Sequence, residues 1–277
     1  MTIALKLNAD AFRDMHHAPP LLVLPNAWDA VTARLFVNAG ARAIATTSAG
    51  IAATLRYADG QNVPRELMMD AIARIARVVD VPVTADTEAG YADSPEGLQE
   101  SIRAVIDAGA VGVNLEDATG DSAQPLFAIE QQIERIRAAR KAADNADVPV
   151  VINARTDVYL AQVGAVASRF ADTVRRLNAY REAGADCLFV PGVTDMPTLT
   201  QLVQSVPAPF NVLAGPGMPA VADLQRIGIA RLSVGSGIMR ATLALARDAA
   251  NELLHEGTYQ TFLDRNIPYN EVNELMK

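Results

Sequence analysis

The sequence predicts a single (β/α)8 barrel with a short leading helix and a helical extension at the C-terminal side. Three observations lead there. Strand-like and helix-like segments alternate eight times along 277 residues, a length that suits one large α/β barrel. Four phrases, Ala39-Gly-Ala-Arg42, Ala108-Gly-Ala-Val111, Ala183-Gly-Ala-Asp186 and Ile227-Gly-Ile229, each read as a helix stopping at glycine and feeding a parallel strand. Three strands are introduced by a proline, at Pro82, Pro149 and Pro209. An open doubly wound sheet is the competing architecture. It usually carries Gly-x-Gly-x-x-Gly after an early strand, and the chain has none there. The expected organisation is a barrel with its leader over 1–256 and an extension over 257–277 that could dock on another subunit.

Taken in order, residues 7–16 suit a leading helix. An apolar run at 21–24 is stopped by Pro25, and a helix capped by Asn26 or Asp29 follows, ending at Gly40. A strand at 43–46 runs into Thr47-Ser-Ala-Gly50. Residues 51–63 read as a long connection before a helix at 65–79 that starts after Pro64. The strand at 83–86 ends in clustered charge, and Ser94 with Pro95 opens a helix to about 108. A strand at 111–115 leads to Glu116 and Asp117, then a small polar loop at 118–124 and a helix at 126–143. The remaining units are strand 148–152 with helix 167–182, strand 187–190 with helix 197–205, strand 211–214 with helix 220–226, and strand 229–234 with helix 237–256. A short helix near 258–263 and a tail complete the chain. Met68 and Met69 sit in a helical stretch and read as core, and the charged 130–141 segment reads as the solvated face of an outer helix.

Composition narrows the function. Half of the residues are apolar but only 5% are aromatic, so the core is aliphatic and rich in alanine. The formal net charge is -8 and no basic tract stands out, which argues against nucleic acid and anionic membranes as partners. Cys187 is the only cysteine, so an intrachain disulfide and a thiolate metal site are excluded; its place in a strand makes it a core residue. No run of 18 apolar residues predicts a membrane span, and residues 1–20 lack the apolar core of a signal peptide. A cytoplasmic location is the expectation.

The chemistry gathers where strands end. Those ends supply Ser48, Asp86, Glu88, Glu116, Asp117, Asn153, Arg155 and Asp157, from four strands, and barrel active sites lie on that face. No histidine lies near a strand end, so an all-oxygen site favours magnesium, with manganese the alternative. Arg155 suits either a clamp on a substrate carboxylate or a salt bridge among the acids. Ser48, Ala49 and Gly50 could offer backbone N–H groups to an oxyanion. Together these suit a small anionic 2-oxo acid. Trp28 and Tyr57 are candidates for the pocket wall, and Asn211 for substrate binding. Gly215, Gly217 and Ser236 follow the last two strands, where many barrels hold a phosphate, which keeps a phosphate-ester enzyme open.

The phrases Leu24-Pro-Asn-Ala-Trp-Asp29, Thr47-Ser-Ala-Gly50, Ala85-Asp-Thr-Glu-Ala-Gly-Tyr91, Leu115-Glu-Asp117 and Asn153-Ala-Arg-Thr-Asp157 resemble those of the isocitrate lyase / phosphoenolpyruvate mutase superfamily. The resemblance covers about residues 20–256. It implies a magnesium-dependent barrel that makes or breaks a bond beside a 2-oxo acid enolate. By the same resemblance, Asp86 is the direct metal ligand, and Glu88 and Glu116 act on the metal mostly through water. Asp59 stands near the metal and the reacting group. Ser48 with the Ala49 and Gly50 amides cradles the substrate, and Arg155 binds it. A homotetramer or homodimer is implied as well. Two departures matter. The lyases' Lys-Lys/Arg-Cys-Gly-His gate phrase is replaced by Ala118-Thr-Gly-Asp-Ser-Ala-Gln124, and the mutases' longer loop with Lys and Asn is absent. A short-looped lyase of a small 2-oxo or 2-hydroxy dicarboxylic acid is the leading expectation. A decarboxylase or hydrolase of an oxaloacetate-like acid, mutase-like P–C chemistry and a non-catalytic metabolite-binding barrel are the alternatives. Asp117, Asp121, Ser122 or a metal-bound water are the candidates to move the proton.

Overall fold

The computed structural model describes residues 3–277. Its strands are β1 (Leu22–Leu24), β2 (Asn26–Ala27), β3 (Ile44–Thr46), β4 (Val83–Asp86), β5 (Gly112–Glu116), β6 (Val151–Arg155), β7 (Cys187–Phe189), β8 (Phe210–Leu213) and β9 (Arg231–Ser233). Its helices are α1 (Ile3–Asp14), α2 (Ala30–Asn38), α3 (Ser48–Thr54), α4 (Arg65–Ala76), α5 (Pro95–Asp107), α6 (Ile129–Asn145), α7 (Val166–Glu182), α8 (Met196–Ser205), α9 (Val221–Arg226), α10 (Gly237–Asn251), α11 (Gln260–Leu263) and α12 (Tyr269–Leu275).

The strands form one parallel sheet in the order β1-β9-β8-β7-β6-β5-β4-β3-β2. The two ends of that order are halves of one strand, parted by Pro25, which has no N–H to donate. β1 pairs with β9 and β2 with β3, so the sheet closes on itself through the broken strand. Asn26 joins the two sides. Its Nδ2 donates to the Thr46 carbonyl at 2.7 Å, and its Oδ1 accepts from the amides of Val234 and Gly235 at 2.8 and 3.0 Å. The expected (β/α)8 barrel is thus present, with its first strand in two pieces.

Alternation along the strands sorts the side chains. Val113, Leu115, Ile152 and Ala154 are buried in the core that the outer helices cover. Asn114 and Asn153, one residue along, bond to each other instead. The leading helix α1 closes one end of the ring. Its Phe12 is fully buried, and a β-carbon on Gly112 in β5 would stand 2.7 Å from Phe12 Cε1. The His16 ring meets Phe12 edge-on at 4.8 Å.

Several bounds differ from those the sequence suggests. The 51–63 connection begins inside a helix, α3, because Thr47 caps it by accepting the Gly50 amide. This places Ser48 to Gly50 in a first helical turn. The strand expected at 148–152 lies three residues later, so Asn153 and Arg155 belong to β6 itself. The expected 237–256 helix ends as a π-helical turn over Glu252–Glu256. The tail contains α12, tied down where Arg34 Nε donates to the Leu275 carbonyl at 2.5 Å.

Candidate active site

Asp86, the last residue of β4, is the centre of the rim. Its Oδ2 accepts from the Ser48 amide at 3.1 Å and the Ser48 hydroxyl at 2.8 Å, and its Oδ1 accepts from Asn114 Nδ2 at 2.9 Å. Thr46 Oγ1 accepts the Asp86 amide at 2.9 Å. The arrangement follows from α3: the Ser48 amide of its first turn faces the end of β4, and a carboxylate suits a helix N-terminus. Asp59 arrives on the connection after α3, with its Oδ1 3.4 Å from Ser48 Oγ. Burial, and then the Asp86 charge, hold the Asp59 carboxyl above its ordinary range. Asn114 is steadied in turn by Asn153, whose Nδ2 donates to Asn114 Oδ1 at 2.9 Å.

Glu88 lies in the turn after β4, buried and with a φ of +50°. Its Oε2 accepts from the Gln61 amide and its Oε1 from the Tyr91 hydroxyl, both at 2.5 Å. Gln61 Oε1 accepts the Tyr91 amide at 2.6 Å, so the segment carrying Asp59 is latched to this turn. Burial raises the Glu88 carboxyl; the Tyr91 bond counters it, and the nearby Asp86 charge adds to it.

Arg155 ends β6 with its fork filled. Nε and Nη2 meet Asp157 Oδ1 and Oδ2 at 2.5 and 2.7 Å, and Nη1 lies 2.8 Å from Glu116 Oε2. Burial opposes the Arg155 charge, but Glu116 and Asp157 outweigh it and raise the pKa. Burial lifts the Glu116 carboxyl, Arg155 partly offsets this, and Asp157, Asp86 and Glu88 lift it further. Asp117 faces away from the cavity and is fully buried. It accepts from Thr156 Oγ1 and the Tyr180 hydroxyl at 2.7 Å, the Asp157 amide at 3.0 Å and Arg176 Nη1 at 3.1 Å. It is held as a brace for the Arg155–Asp157 turn and is not free to carry protons. Asp121 and Ser122 are exposed, and Asp121 Oδ1 accepts the Ala123 amide at 2.8 Å within its own loop.

Ser48, Ala49, Asp59, Asp86, Arg155 and Asn211 line one cavity of about 210 Å³. That is below the roughly 300–1,000 Å³ of drug-sized pockets and suits a small acid. Gly50, Glu88 and Glu116 stand behind its wall. Trp28 packs against Phe36, with ring centroids 6.4 Å apart, and Tyr57 is 39% exposed and does not line the cavity. Gly235 and Ser236 border the same cavity, so the rim after the last strand belongs to it. The sequence reading missed Asn26, Asn114 and Arg231, which also line it. The available signal was a polar residue within a strand, at Asn26 in β2, Asn114 in β5 and Arg231 in β9.

Among the described residues no three acids or imidazoles come close enough to hold an ion by themselves. Magnesium does not require that: one or two carboxylates and retained water suffice for it. Asp86 and Asp59 face the cavity, while Glu88 and Glu116 add charge from behind. The Asp86 charge adds to burial in lifting the carboxyls of Asp59, Glu88 and Glu116, a crowding that a cation would relieve. The donor set is all oxygen and fits a hard divalent ion.

Comparison with known proteins bears on this geometry. The family described as phosphoenolpyruvate phosphomutase matches residues 12–254. A solved structure from Burkholderia cenocepacia J2315, described as a lyase/mutase, is 38% identical with a TM-score of 0.92, over 99% of this chain and 96% of that one. An uncharacterised protein of Mycobacterium tuberculosis is 33% identical over 95% of this chain and 94% of its own. The 2-methylisocitrate lyase of Escherichia coli (strain K12) is 31% identical over 87% of this chain and 83% of its own.

Proposed function

The chain belongs to the isocitrate lyase / phosphoenolpyruvate mutase superfamily, and from that premise we propose that it is a magnesium-dependent carbon–carbon lyase. Its substrate is a small 2-oxo or 2-hydroxy dicarboxylic acid, cleaved through an enolate. The observation that carries this reading is the meeting of Asp86, Asp59, Ser48 and Arg155 on one cavity too small for a large substrate.

Asp86 would hold the ion from the cavity side, and Glu88 and Glu116 would strengthen the negative field around it. Magnesium, when bound, supplies charge stabilisation to a developing oxyanion. Ser48 positions Asp86 through its amide and hydroxyl. Asp59, beside Ser48 on the same cavity, would move the proton that bond cleavage requires. Arg155, fixed by Asp157 and Glu116, presents a rigid positive wall to the acid. The route of a cysteine-bearing lyase is closed: the 118–124 loop has no cysteine. Cys187 is fully buried in β7, its thiol pushed up to about 12 by burial.

The test is a panel of oxaloacetate, substituted malates, methylisocitrate and phosphonopyruvate, with magnesium, read by product mass. One acid is cleaved, EDTA abolishes the reaction, and Asp86→Asn lowers kcat/KM at least about a hundredfold with an unchanged melting temperature. Turnover that survives both EDTA and Asp86→Asn sinks the proposal. A homo-oligomer belongs to the same reading. Leu243, Leu254 and Phe262 on the C-terminal helical segments are exposed, a supply of apolar surface for subunit contact. Light scattering that gives the mass of one chain rules it out.

A further inference from the structure

Arg231 opens β9, in register with Leu22 on one side and Asn211 on the other. Its side chain points into the ring. It is 2% exposed, its guanidinium carbon lies 5.9 Å from the Phe12 ring centroid, and it borders the same cavity as Asp86 and Ser48. Its Nε and Nη1 are buried and have no protein hydrogen-bond partner among the described residues. Burial is the larger influence on its charge and opposes it, while Cys187 and Asp86 favour it.

Other buried arginines of this chain have acceptors for their charge, although Arg135 Nε is also buried without a protein partner among the described residues. Arg176 meets Asp117 and Asp172, and the terminal nitrogens of Arg135 bond to the carbonyls of Ala89 and Ala92. Arg155, the other guanidinium on the cavity, is matched by Asp157 and Glu116. A dehydrated guanidinium without an acceptor is unfavourable, and an anion seated against it removes that penalty. One neighbour on the cavity wall points the same way. Thr84 Oγ1 is a buried hydroxyl without a protein partner among the described residues and can donate to an anion. The floor is therefore polar, positive and incomplete, whereas the rim is acidic.

We propose that Arg231 binds the distal carboxylate of the substrate and makes the site selective for dicarboxylic over monocarboxylic acids. The inference rests on the reading of this cavity as a 2-oxo or 2-hydroxy acid site. The acid lies along the cavity, with its oxygenated end near Asp86 and the first turn of α3 and its far carboxylate on Arg231. The competing role is structural: a cation packed on Phe12 that closes the ring and touches no ligand.

Malate and 2-hydroxybutyrate separate the two roles, because they differ in a distal carboxylate against a methyl group. Calorimetry of the full chain with magnesium gives malate an advantage of at least about tenfold. Arg231→Met abolishes that advantage and leaves 2-hydroxybutyrate affinity within about twofold, and Arg231→Lys restores part of it. A folded Arg231→Met protein that still prefers malate overturns the proposal. Should that variant fail to fold, the Arg231 Nε–H resonance of the wild-type protein decides. It shifts with malate and stays with 2-hydroxybutyrate; a signal unmoved by malate overturns the proposal. If neither acid binds, the reading of the cavity falls. If both bind wild type equally, only the role of Arg231 falls.

Discussion

A β-carbon on Gly50 would stand 2.6 Å from Thr47 Cγ2 and 2.8 Å from Trp28 Cβ. Gly50 therefore lets α3 lie against Trp28, and that contact aims the Ser48 amide at Asp86. Gly50→Ala is expected to cost about 1–3 kcal/mol in urea unfolding and to lower kcat/KM beyond what instability explains. Asp117 carries a structural load of a different kind. Asp117→Ala leaves Arg176 facing a buried void, and a loss of about 3–5 kcal/mol is expected from the same measurement. The sequence placed Asp117 among the groups able to carry a proton because it follows Glu116 at the end of an apolar run. What was not legible is that β5 continues through Glu116, so the next side chain turns outward toward α7. Arg231 escaped for the related reason that hydropathy marks a strand without saying which member faces the ring.

At the scale of elements, the turn after β4 and the segment after α3 form one unit. Glu88, Tyr91 and Gln61 all have positive φ, at 50°, 54° and 58°, and bond to one another. Tyr91→Phe removes the hydroxyl that serves a buried carboxylate. The expected loss of about 1.5–3 kcal/mol falls on local opening of this segment, read as faster proteolytic cleavage across residues 57–62 with the urea midpoint of the barrel unchanged. Unchanged cleavage there would show that the latch does not hold the segment carrying Asp59. Elements with strong punctuation were legible: Ser94 and Pro95 open α5 where expected, and Gly109 follows its end. α3 was not, because seven residues rich in alanine and glycine show no helical repeat, and only its Thr47 cap marks it. The late start of β6 was hidden because 148–155 is apolar enough for a strand to begin anywhere in it.

For the whole molecule, acid should act first through the plugged end of the ring. Burial, with Arg231 adding to it, holds the His16 pKa at about 3, against an ordinary 6.5. Above about pH 6.5 the imidazole is neutral folded or unfolded and contributes nothing. Below it the unfolded chain takes up a proton that the folded chain refuses. Stability then falls as the pH drops toward 3, by a total on the order of 4 kcal/mol. Urea midpoints between pH 7 and pH 4 should slope downward in the wild type and flatten in His16→Leu; parallel curves would remove His16 from the account. The barrel as a whole was the most legible feature, since glycine stops and proline starts repeat along the chain. Its closure was not, because it depends on Asn26 receiving two amides from residues more than two hundred positions away. That seam has a consequence during synthesis. Until residue 235 has emerged from the ribosome, β1 and the newest strand both present open edges, so the nascent ring is exposed to pairing with neighbours on the same message until its last strand is made.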